Sequence, residues 1–316
     1  MRRRDFLMTA ATLGLAGCGR APAPRRLSQV KITRAAAYSH DIYDTMRRVL
    51  AEHNLRVRGR RVVLKPNLVE FEPESTINTH PMLVHATLEA FRELGATVAI
   101  AEGPGHRRGT LDLADAAGYF KLIPGFEDLF TDLNVDEVSR VHLARPVSRL
   151  NSLYLPHTVL ASDLLVSMPK MKTHHWAGAT LSMKNLFGVV PGGVYGWPKN
   201  VLHWAGIHQC VADLHTLFPR HFSVVDGIVG MDGNGPIQGR PKPAGVIVSG
   251  RDPVAVDATC CRIMQIEPAR IGYLTLAGGS EGIAEKNIQQ IGENPDSVAT
   301  RFELIAELRE LRKEKS

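Results

Sequence analysis

Short apolar runs alternate with helix-like segments along the chain, and this alternation restricts the fold more than any other feature of the sequence. Residues 60–67 and 97–105 have the consecutive apolar residues of buried strands, and each run ends near proline or glycine. Between them, residues 80–96 have the spacing of an amphipathic helix, with proline near the start and glycine at the end. This strand–helix–strand order predicts an α/β fold with a mostly parallel sheet flanked by helices. We expect a few antiparallel edge strands within residues 125–158, where short alternating runs occur.

The same pattern continues over the rest of the chain. Residues 202–218 place apolar side chains three and four positions apart, which is typical of one buried helix face. A glycine-rich segment separates the apolar runs 221–227 and 243–250, and we interpret it as a loop between two strands. The further elements expected are a strand over 161–170 and helices over 111–123, 176–187, 252–264 and 302–315.

The N-terminal residues predict an export signal and not a folded element. The sequence "RRDFL" near the start resembles a twin-arginine signal, and "LAGC" resembles the site at which lipoproteins are cleaved and lipidated. We therefore predict a signal over residues 1–17, lipidation of Cys18, and a linker over 18–29. The predicted location is the periplasmic or cell-surface side of a membrane, reached through the twin-arginine export machinery and held by the lipid anchor. A processed Sec-type signal or a short anchor is the alternative interpretation.

Composition is that of a soluble globular protein, with 44% hydrophobic and 22% charged residues. The predicted organisation is an α/β domain over residues 30–290, built as one unit or two lobes, followed by a C-terminal surface helix over 291–316. The net charge of +6 suits an anionic membrane surface or an acidic ligand. Because basic residues form no block and only 6% of residues are aromatic, no nucleic-acid partner is predicted.

The cysteines do not have the pattern of a disulfide scaffold. Beyond Cys18 the chain has only Cys210, Cys260 and Cys261, an odd number with two adjacent members. No CxxC motif is present, so the sequence lacks the ligand spacing of a ferredoxin-like cluster or a thioredoxin-like redox site. We expect these three cysteines to be small, buried, apolar side chains.

Polar and charged residues stand where several predicted strands end. In open parallel sheets, ligands bind outside the carboxyl ends of the strands, so these side chains are expected to converge on one rim. Lysine is almost never fully buried without a partner, and several lysines at strand ends predict a pocket for a phosphate or carboxylate. A solvated surface position is the alternative for each lysine taken alone. The predicted ligand-binding residues are Lys65, Asn67, Glu102, Lys170, Lys172 and Asn185.

Residues 167–188 hold three lysines and two histidines between a predicted strand and a predicted helix. Lys184 is expected about two turns into that helix. The glycine and alanines at 177–179 would allow another backbone or a ligand to approach closely. His174 and His175 would point to opposite faces of a regular strand. We predict catalytic roles for Lys184 and His174, the latter as general acid/base, because the imidazole pKa lies near neutrality. A loop histidine with a structural hydrogen bond is the alternative.

The segment 224–241 interleaves glycines with Asp226, Asp232 and Asn234. Their side-chain oxygens are suitable ligands for a hard cation, so a divalent metal site is predicted there, although the spacing matches no EF-hand, phosphate loop or dinucleotide fingerprint. An irregular connection without a ligand is the alternative. Asp257 lies in the apolar stripe of a predicted helix and needs a lysine or a metal as its partner, which makes it the third predicted catalytic residue.

Several of these segments together resemble the domain-of-unknown-function family numbered 362. The resemblance covers roughly residues 30 to 285, supports the choice of site residues and leaves the reaction open. It also implies a frequent link to ferredoxin-type iron–sulfur domains, whose cysteines this chain lacks. The matching segments are "VVLKPNLV" (62–69), "EGPG" (102–105), "SMPKMKTH" (167–174), "TLSMKNLFGVVPG" (180–192), "VVDGIVGMDGNGPIQG" (224–239) and "RDPVAVDATCCRIMQ" (251–265).

The predicted function is that of an exported, membrane-anchored enzyme. It would bind an anionic small molecule in a cleft lined by lysine, aspartate and histidine, with or without a divalent metal. The alternative is a lipoprotein without turnover that binds or matures a metal or an iron–sulfur centre.

Overall fold

A computed structural model describes residues 27–105 and 108–312 of the chain. The predicted signal over residues 1–17 and the predicted lipidation site Cys18 lie outside the described residues. No helix within the described ranges is long and apolar enough to cross a membrane.

A large sheet forms the centre of the protein. Runs of buried aliphatic residues supply its interior strands, as in the segment that contains Val62, Val63 and Leu64. The described strands, numbered β1 to β12 in chain order, span Ser28–Arg34, Arg61–Pro66, Thr97–Glu102, Phe130–Asp132, Val138–His142, Ser152–Pro156, Leu164–Met168, Lys170–His174, Gly178–Thr180, His221–Asn234, Gln238–Gly250 and Ile288–Gly292.

The prediction of an α/β fold with a mostly parallel sheet is confirmed. The main strand order is β12–β1–β11–β10–β7–β2–β3–β4, and β8 and β9 continue from β10. The neighbouring pairs from β10 to β4 are parallel, whereas β11 runs antiparallel to both β10 and β1. β5 and β6 form a separate antiparallel pair within the segment for which the sequence predicts antiparallel strands.

Helices cover both faces of this sheet. Val62 and Leu64 of β2 belong to one hydrophobic cluster and Val63 to another, so the two clusters lie on opposite faces. The helices, numbered α1 to α12 in chain order, span Asp41–Glu52, Pro81–Glu93, Thr110–Ala116, Tyr119–Leu122, Phe126–Leu129, His157–Leu160, Ser182–Asn185, Gly192–Tyr195, Asn200–Trp204, Ile207–Leu217, Pro253–Ile263 and Gly272–Gly282.

Local sequence signals set several helix starts. At α11 the side chain of Asp252 accepts hydrogen bonds from the amides of Val254 and Ala255, and Pro253 occupies the first helical position. On one face of the sheet α1 and α2 pack together, and on the other α10, α11 and α12 do so. The sequence predictions of helices over 80–96 and 252–264 therefore agree with the structure.

The prediction of one helix over residues 176–187 is wrong. The chain first folds back as β9, which pairs antiparallel with β8, and then forms α7 and a 3₁₀ helix over Leu186–Val189. The predicted helix over 202–218 is likewise divided into α9 and α10, because Gly206 adopts a φ of 107° between them. Lys184 consequently lies in a single short turn and not two turns into a long helix.

The glycine-rich segment 224–241 is also not a loop. β10 and β11 continue through it as one long hairpin, paired from Ser223 and Gly250 out to Asn234 and Gln238. Gly235 lies in the hairpin turn so close to the chain at Thr173 that a β-carbon would overlap its carbonyl oxygen. Glycine at this position therefore serves backbone packing and not the approach of a ligand.

The predicted C-terminal surface helix over residues 291–316 is wrong for the residues that are described. Two 3₁₀ helices form there, over Pro295–Val298 and Ala306–Leu311. Phe302 is fully buried in the core, and Gly233 donates its amide to the carbonyl of Glu303. The tail is thus packed on the sheet by an apolar anchor that a charged amphipathic pattern does not reveal.

Candidate functional site

A cavity of about 900 Å³ opens where β2, β3 and β8 end. Its walls come from the segments that follow these strands, from α7 and the next 3₁₀ helix, and from the turn of the β10–β11 hairpin. Its volume is typical of a small-molecule site, and its place at the carboxyl ends of parallel strands is the usual one for a ligand. The lining residues that matter for chemistry are Asn67, Glu102, Lys172, His174, His175, Thr180, Lys184, Asn185, Phe187, Lys199 and His203.

Lys65 and Glu102 form a buried ion pair beside this cavity. The Lys65 ammonium donates to Glu102 Oε2 at 2.5 Å, to Asn185 Oδ1 at 3.1 Å and to the Pro66 carbonyl at 3.0 Å. Burial lowers the pKa of Lys65, and the charge of Glu102 offsets part of that effect. Because its charge and its hydrogen bonds are already matched by the protein, Lys65 is a structural group and not a free contact for an anion.

Lys170 and Asp226 form a second buried pair, on directly opposed positions of β8 and β10. The Lys170 ammonium lies 2.7 Å from Asp226 Oδ2, while the Tyr38 hydroxyl donates to Oδ1 at 2.8 Å and the His80 amide donates to Oδ2 at 2.9 Å. Burial and then Asp226 raise the pKa of Tyr38. Neither Lys170 nor Asp226 lines the cavity, so these two predicted site residues hold strands together.

Three other lysines line the cavity without a carboxylate in ion-pair distance among the described residues. Lys172 donates to the carbonyls of Ile77 at 2.8 Å and Pro236 at 3.1 Å. Lys199 donates to the carbonyl of Gly103 and, at 3.4 Å, to that of Phe187. The third, Lys184, has no hydrogen bond in the described part of the chain, and its ammonium lies 4.0 Å from the centre of the Phe187 ring.

The acid–base properties of this lysine cluster follow from its burial. Burial, with Lys65 as a smaller cause, lowers the pKa of Lys184 to about 7. Burial also lowers the pKa of Lys199 to about 7, where Glu102 opposes the shift and Lys65 and Lys184 add to it. The pKa of Lys172 is well below its usual range because of burial, followed by repulsion from Lys170 and Lys184. A bound anion would reverse these shifts by matching the buried positive charge.

Asp257 lies behind the cavity wall and does not line the cavity. Its two carboxylate oxygens accept the backbone amides of Ser182 at 2.8 Å and Met183 at 2.9 Å. Burial raises the pKa of Asp257 to about 8, and these two hydrogen bonds oppose the shift. Asp257 thus finds backbone donors in place of the lysine or metal that the sequence predicts, and it positions the turn that carries Lys184.

The three histidines of the cavity have defined tautomers. His174 Nδ1 accepts the amides of Trp176 at 3.1 Å and Ala177 at 3.2 Å, so its proton is on Nε2. His175 Nδ1 lies 2.8 Å from the carbonyl of Gly235, and His203 Nδ1 lies 3.2 Å from that of Lys199, so these two rings carry the proton on Nδ1 when neutral. The site therefore offers one N–H donor at His174 Nε2 and two acceptors at the other Nε2 atoms.

Burial favours the neutral form of the His174 and His203 rings. It lowers the pKa of His174 well below its usual value, and Lys184 is the second cause. Burial and then Lys184 also lower the pKa of His203. A neutral imidazole can donate or accept a hydrogen bond without adding charge to a cavity that already holds several lysines.

Two buried polar atoms of the cavity lining have no hydrogen-bond partner within the described residues, namely Asn67 Oδ1 and Thr180 Oγ1. Such atoms are costly unless a ligand or water satisfies them. Asn185, by contrast, is fully used, because its amide donates to the Lys65 carbonyl at 3.1 Å and to Ser167 Oγ at 3.0 Å. Asn67 and Thr180 are therefore the better candidates for direct contacts to a polar ligand.

The predicted metal ligands are not brought together. Asp226 is paired with Lys170, Asp232 accepts the amide of Glu303 at 2.9 Å, and Asn234 donates to Gln238 at 2.9 Å. Their separation follows from the hairpin, which spreads them along one extended strand. Among the described residues, no group of three or more His, Cys, Asp or Glu side chains has the arrangement of a metal site.

Lys199, His203 and Thr180 are site residues that the sequence did not suggest. Lys199 and His203 come from a segment without strand character, which reaches the cavity only through tertiary packing. Lys199 has a φ of 67°, uncommon for a residue other than glycine, asparagine or aspartate, but sequence patterns do not report it. Thr180 ends β9, within the segment predicted as a helix.

The family comparison agrees with the resemblance seen in the sequence. A family model described as "Domain of unknown function (DUF362)" matches residues 62–262. The thylakoid-associated protein sll1697 of Synechocystis sp. is 28% identical over 254 residues, which cover 78% of this chain and 72% of that protein. The lactate racemase apoprotein from Thermoanaerobacterium thermosaccharolyticum matches with a TM-score of 0.46 and 15% identity, over 77% of this chain and 58% of that chain.

Proposed function

The chain belongs to the family described as Domain of unknown function (DUF362), and because that description names no activity we propose a function from the cavity itself. We propose that the protein is an exported enzyme that binds an anionic small molecule and performs acid–base chemistry on it. Lys172, Lys184 and Lys199 would hold the anion. Asn67 and Thr180 would contact its polar groups.

One observation carries the proposal: three lysine side chains converge on one cavity, and none of them has a carboxylate within ion-pair distance among the described residues. Lys172 is fully buried, and Lys199 and Lys184 are 3% and 9% exposed. Buried ammonium groups are costly unless they are paired, and here the protein supplies carbonyl oxygens or an aromatic ring in place of a charge. An anionic ligand is the partner that would balance them.

The histidines supply the acid–base groups. His174 Nε2 carries a proton fixed by two backbone amides, and His203 Nε2 is an acceptor when the ring is neutral. A donor and an acceptor beside a cationic subsite are the groups that proton transfer next to a carboxylate or phosphate requires. The divalent metal is not part of the proposal, because Asp226, Asp232 and Asn234 are engaged elsewhere.

Attachment to a membrane is the second element of the proposal. The sequences "RRDFL" and "LAGC" support export by the twin-arginine route and lipidation at Cys18. The thylakoid association stated in the name of the Synechocystis relative is compatible with such a location. Cell fractionation with Cys18→Ser tests this element: release of the variant from the membrane supports it, and unchanged membrane association contradicts it.

Anion binding is tested by titration calorimetry with oxalate, a small dicarboxylate. Replacement of Lys172 or Lys199 by methionine is expected to weaken binding by about 10- to 100-fold, since a charge-assisted hydrogen bond contributes about 1.5–3 kcal/mol. Lys121→Met is the matched control, because Lys121 is exposed and distant in sequence from the cavity lining. Equal affinity of all variants would reject the cavity as the anion site, whereas tight binding without turnover of any carboxylate tested would favour a binding lipoprotein.

A further inference from the structure

The five lysines in and beside the cavity differ in the contacts that their amino groups make. Lys65 and Lys170 are in ion pairs, and Lys172 donates to two carbonyl oxygens. Lys199 is likewise directed at carbonyl oxygens. Lys184 alone among these five has an amino group whose described contact is an aromatic ring, and it faces the cavity.

We propose that Lys184 is a nucleophile that forms an imine with an anionic aldehyde or ketone, and that such an oxoacid is the substrate class of this cavity. The inference rests on the proposed anion site, and it adds the chemical group that reacts. Lys172 and Lys199, fixed by carbonyl oxygens, would hold the anionic end of the substrate. The carbonyl carbon would then lie against the unbound amine of Lys184.

The surroundings of Lys184 favour this role. An amine that makes no hydrogen bond does not have to break one before its lone pair attacks a carbon atom. Burial and nearby positive charge keep a lysine partly unprotonated, which is how lysine nucleophiles are activated. Asp257 holds the amides of Ser182 and Met183 and so fixes the turn that presents the side chain.

The step balances within the site. The nitrogen lone pair forms a C–N bond as the carbonyl π electrons move to oxygen, and a proton shift gives a neutral carbinolamine. Uptake of one further proton lets the C–O bond break, so that water leaves while nitrogen forms the C=N⁺ bond. In total, one amine, one carbonyl group and one proton give one protonated imine and one water molecule. His203 Nε2, an acceptor when the ring is neutral, would relay that proton from water, because the His203 ring and the Lys184 amine both pack on the Phe187 ring.

Reductive trapping tests the proposal. The full-length protein is incubated at pH 7 with glyoxylate and cyanoborohydride, and the modified lysines are identified by peptide mass spectrometry. Lys184 is expected to react on the order of a hundredfold faster than exposed Lys121, because about half of an amine with a pKa near 7 is unprotonated at that pH. Oxalate, which has no reactive carbonyl of this kind, should protect Lys184 and leave Lys121 unchanged.

Lys184→Arg keeps a positive side chain and removes the nucleophile, so it should lose the trapped adduct while exposed Lys121 is modified as in the wild type. Lys184→Met serves the same purpose if the arginine does not fit. Trapping at Lys184 no faster than at Lys121, in protein that still binds oxalate in the cavity, would overturn the imine and leave the anion site intact. Absence of oxalate binding would instead remove the proposed function on which the inference rests.

Discussion

Lys65 and Lys184 can each be replaced by methionine to distinguish a structural lysine from a functional one. Lys65→Met would leave Glu102 as an unbalanced charge whose side chain is only 2% exposed. Removing one partner of such a buried pair costs about 3–5 kcal/mol of unfolding free energy. With an unfolding entropy of about 2.1 cal/mol/K per residue over about 290 residues, the melting temperature should fall by about 5–8 °C.

Lys184→Met is the matched control for that change. Its ammonium has no hydrogen bond in the described part of the chain, and methionine keeps the packing against the Phe187 ring. Exchange of side chains of similar size costs less than about 1.5 kcal/mol, and removal of the buried amine also removes the cost of its burial. The melting temperature should therefore fall by no more than about 3 °C, and a rise is compatible with the assignment. Both variants are compared with the wild type by circular dichroism during heating and by urea unfolding at pH 7. If Lys184→Met lowered the free energy of unfolding as much as Lys65→Met does, the division into structural and functional lysines would be refuted.

Three further predictions follow from the same contacts. Burial lowers the pKa of Lys184 from 10.5 to about 7, so above pH 7 the native state binds fewer protons than the unfolded chain. The free energy of unfolding should therefore rise between about pH 7 and 10. Urea unfolding should show a larger rise in the wild type than in Lys184→Met. Gly188→Ala should lower the free energy of unfolding by about 3 kcal/mol or more, because the added β-carbon would overlap the side chains of Glu102 and Lys65. Gly105→Ala is the control in the same assay and should stay near the wild type, because its β-carbon would lie 3.9 Å from the Pro198 carbonyl oxygen. Asp257→Asn removes the acceptor of one backbone amide in the turn that carries Lys184, so it should lower the free energy of unfolding by about 1–3 kcal/mol. It should also weaken oxalate binding in calorimetry. Unchanged oxalate affinity would show that Asp257 does not position the anion site.

The parallel sheet and its helices could be predicted because their signals are local. Apolar runs closed by proline or glycine, and a helix start such as Asp252–Pro253, depend on neighbouring residues alone. The convergence of Lys65, Glu102 and Lys172 on one rim followed from a single topological rule, which places strand ends together.

What could not be predicted depends on pairing between distant segments. A lysine next to a strand end looks the same in sequence whether a carboxylate meets it, as at Lys170, or only carbonyl oxygens do, as at Lys172. The glycines of segment 224–241 suggest a loop, but their neighbours across the hairpin allow two long strands to form. Lys199 enters the cavity from a segment whose placement depends on tertiary contacts.

In the proposed function, an anion is held between the amino groups of Lys172, Lys184 and Lys199. Crystals of the protein soaked in bromide test it directly, because the anomalous signal of bromide locates an anion without any assumption about the natural ligand. We expect an anomalous peak inside the cavity in contact with these three side chains, and we expect that peak to be lost in Lys172→Met. Bromide found on exposed arginines and lysines while the cavity holds none would contradict it.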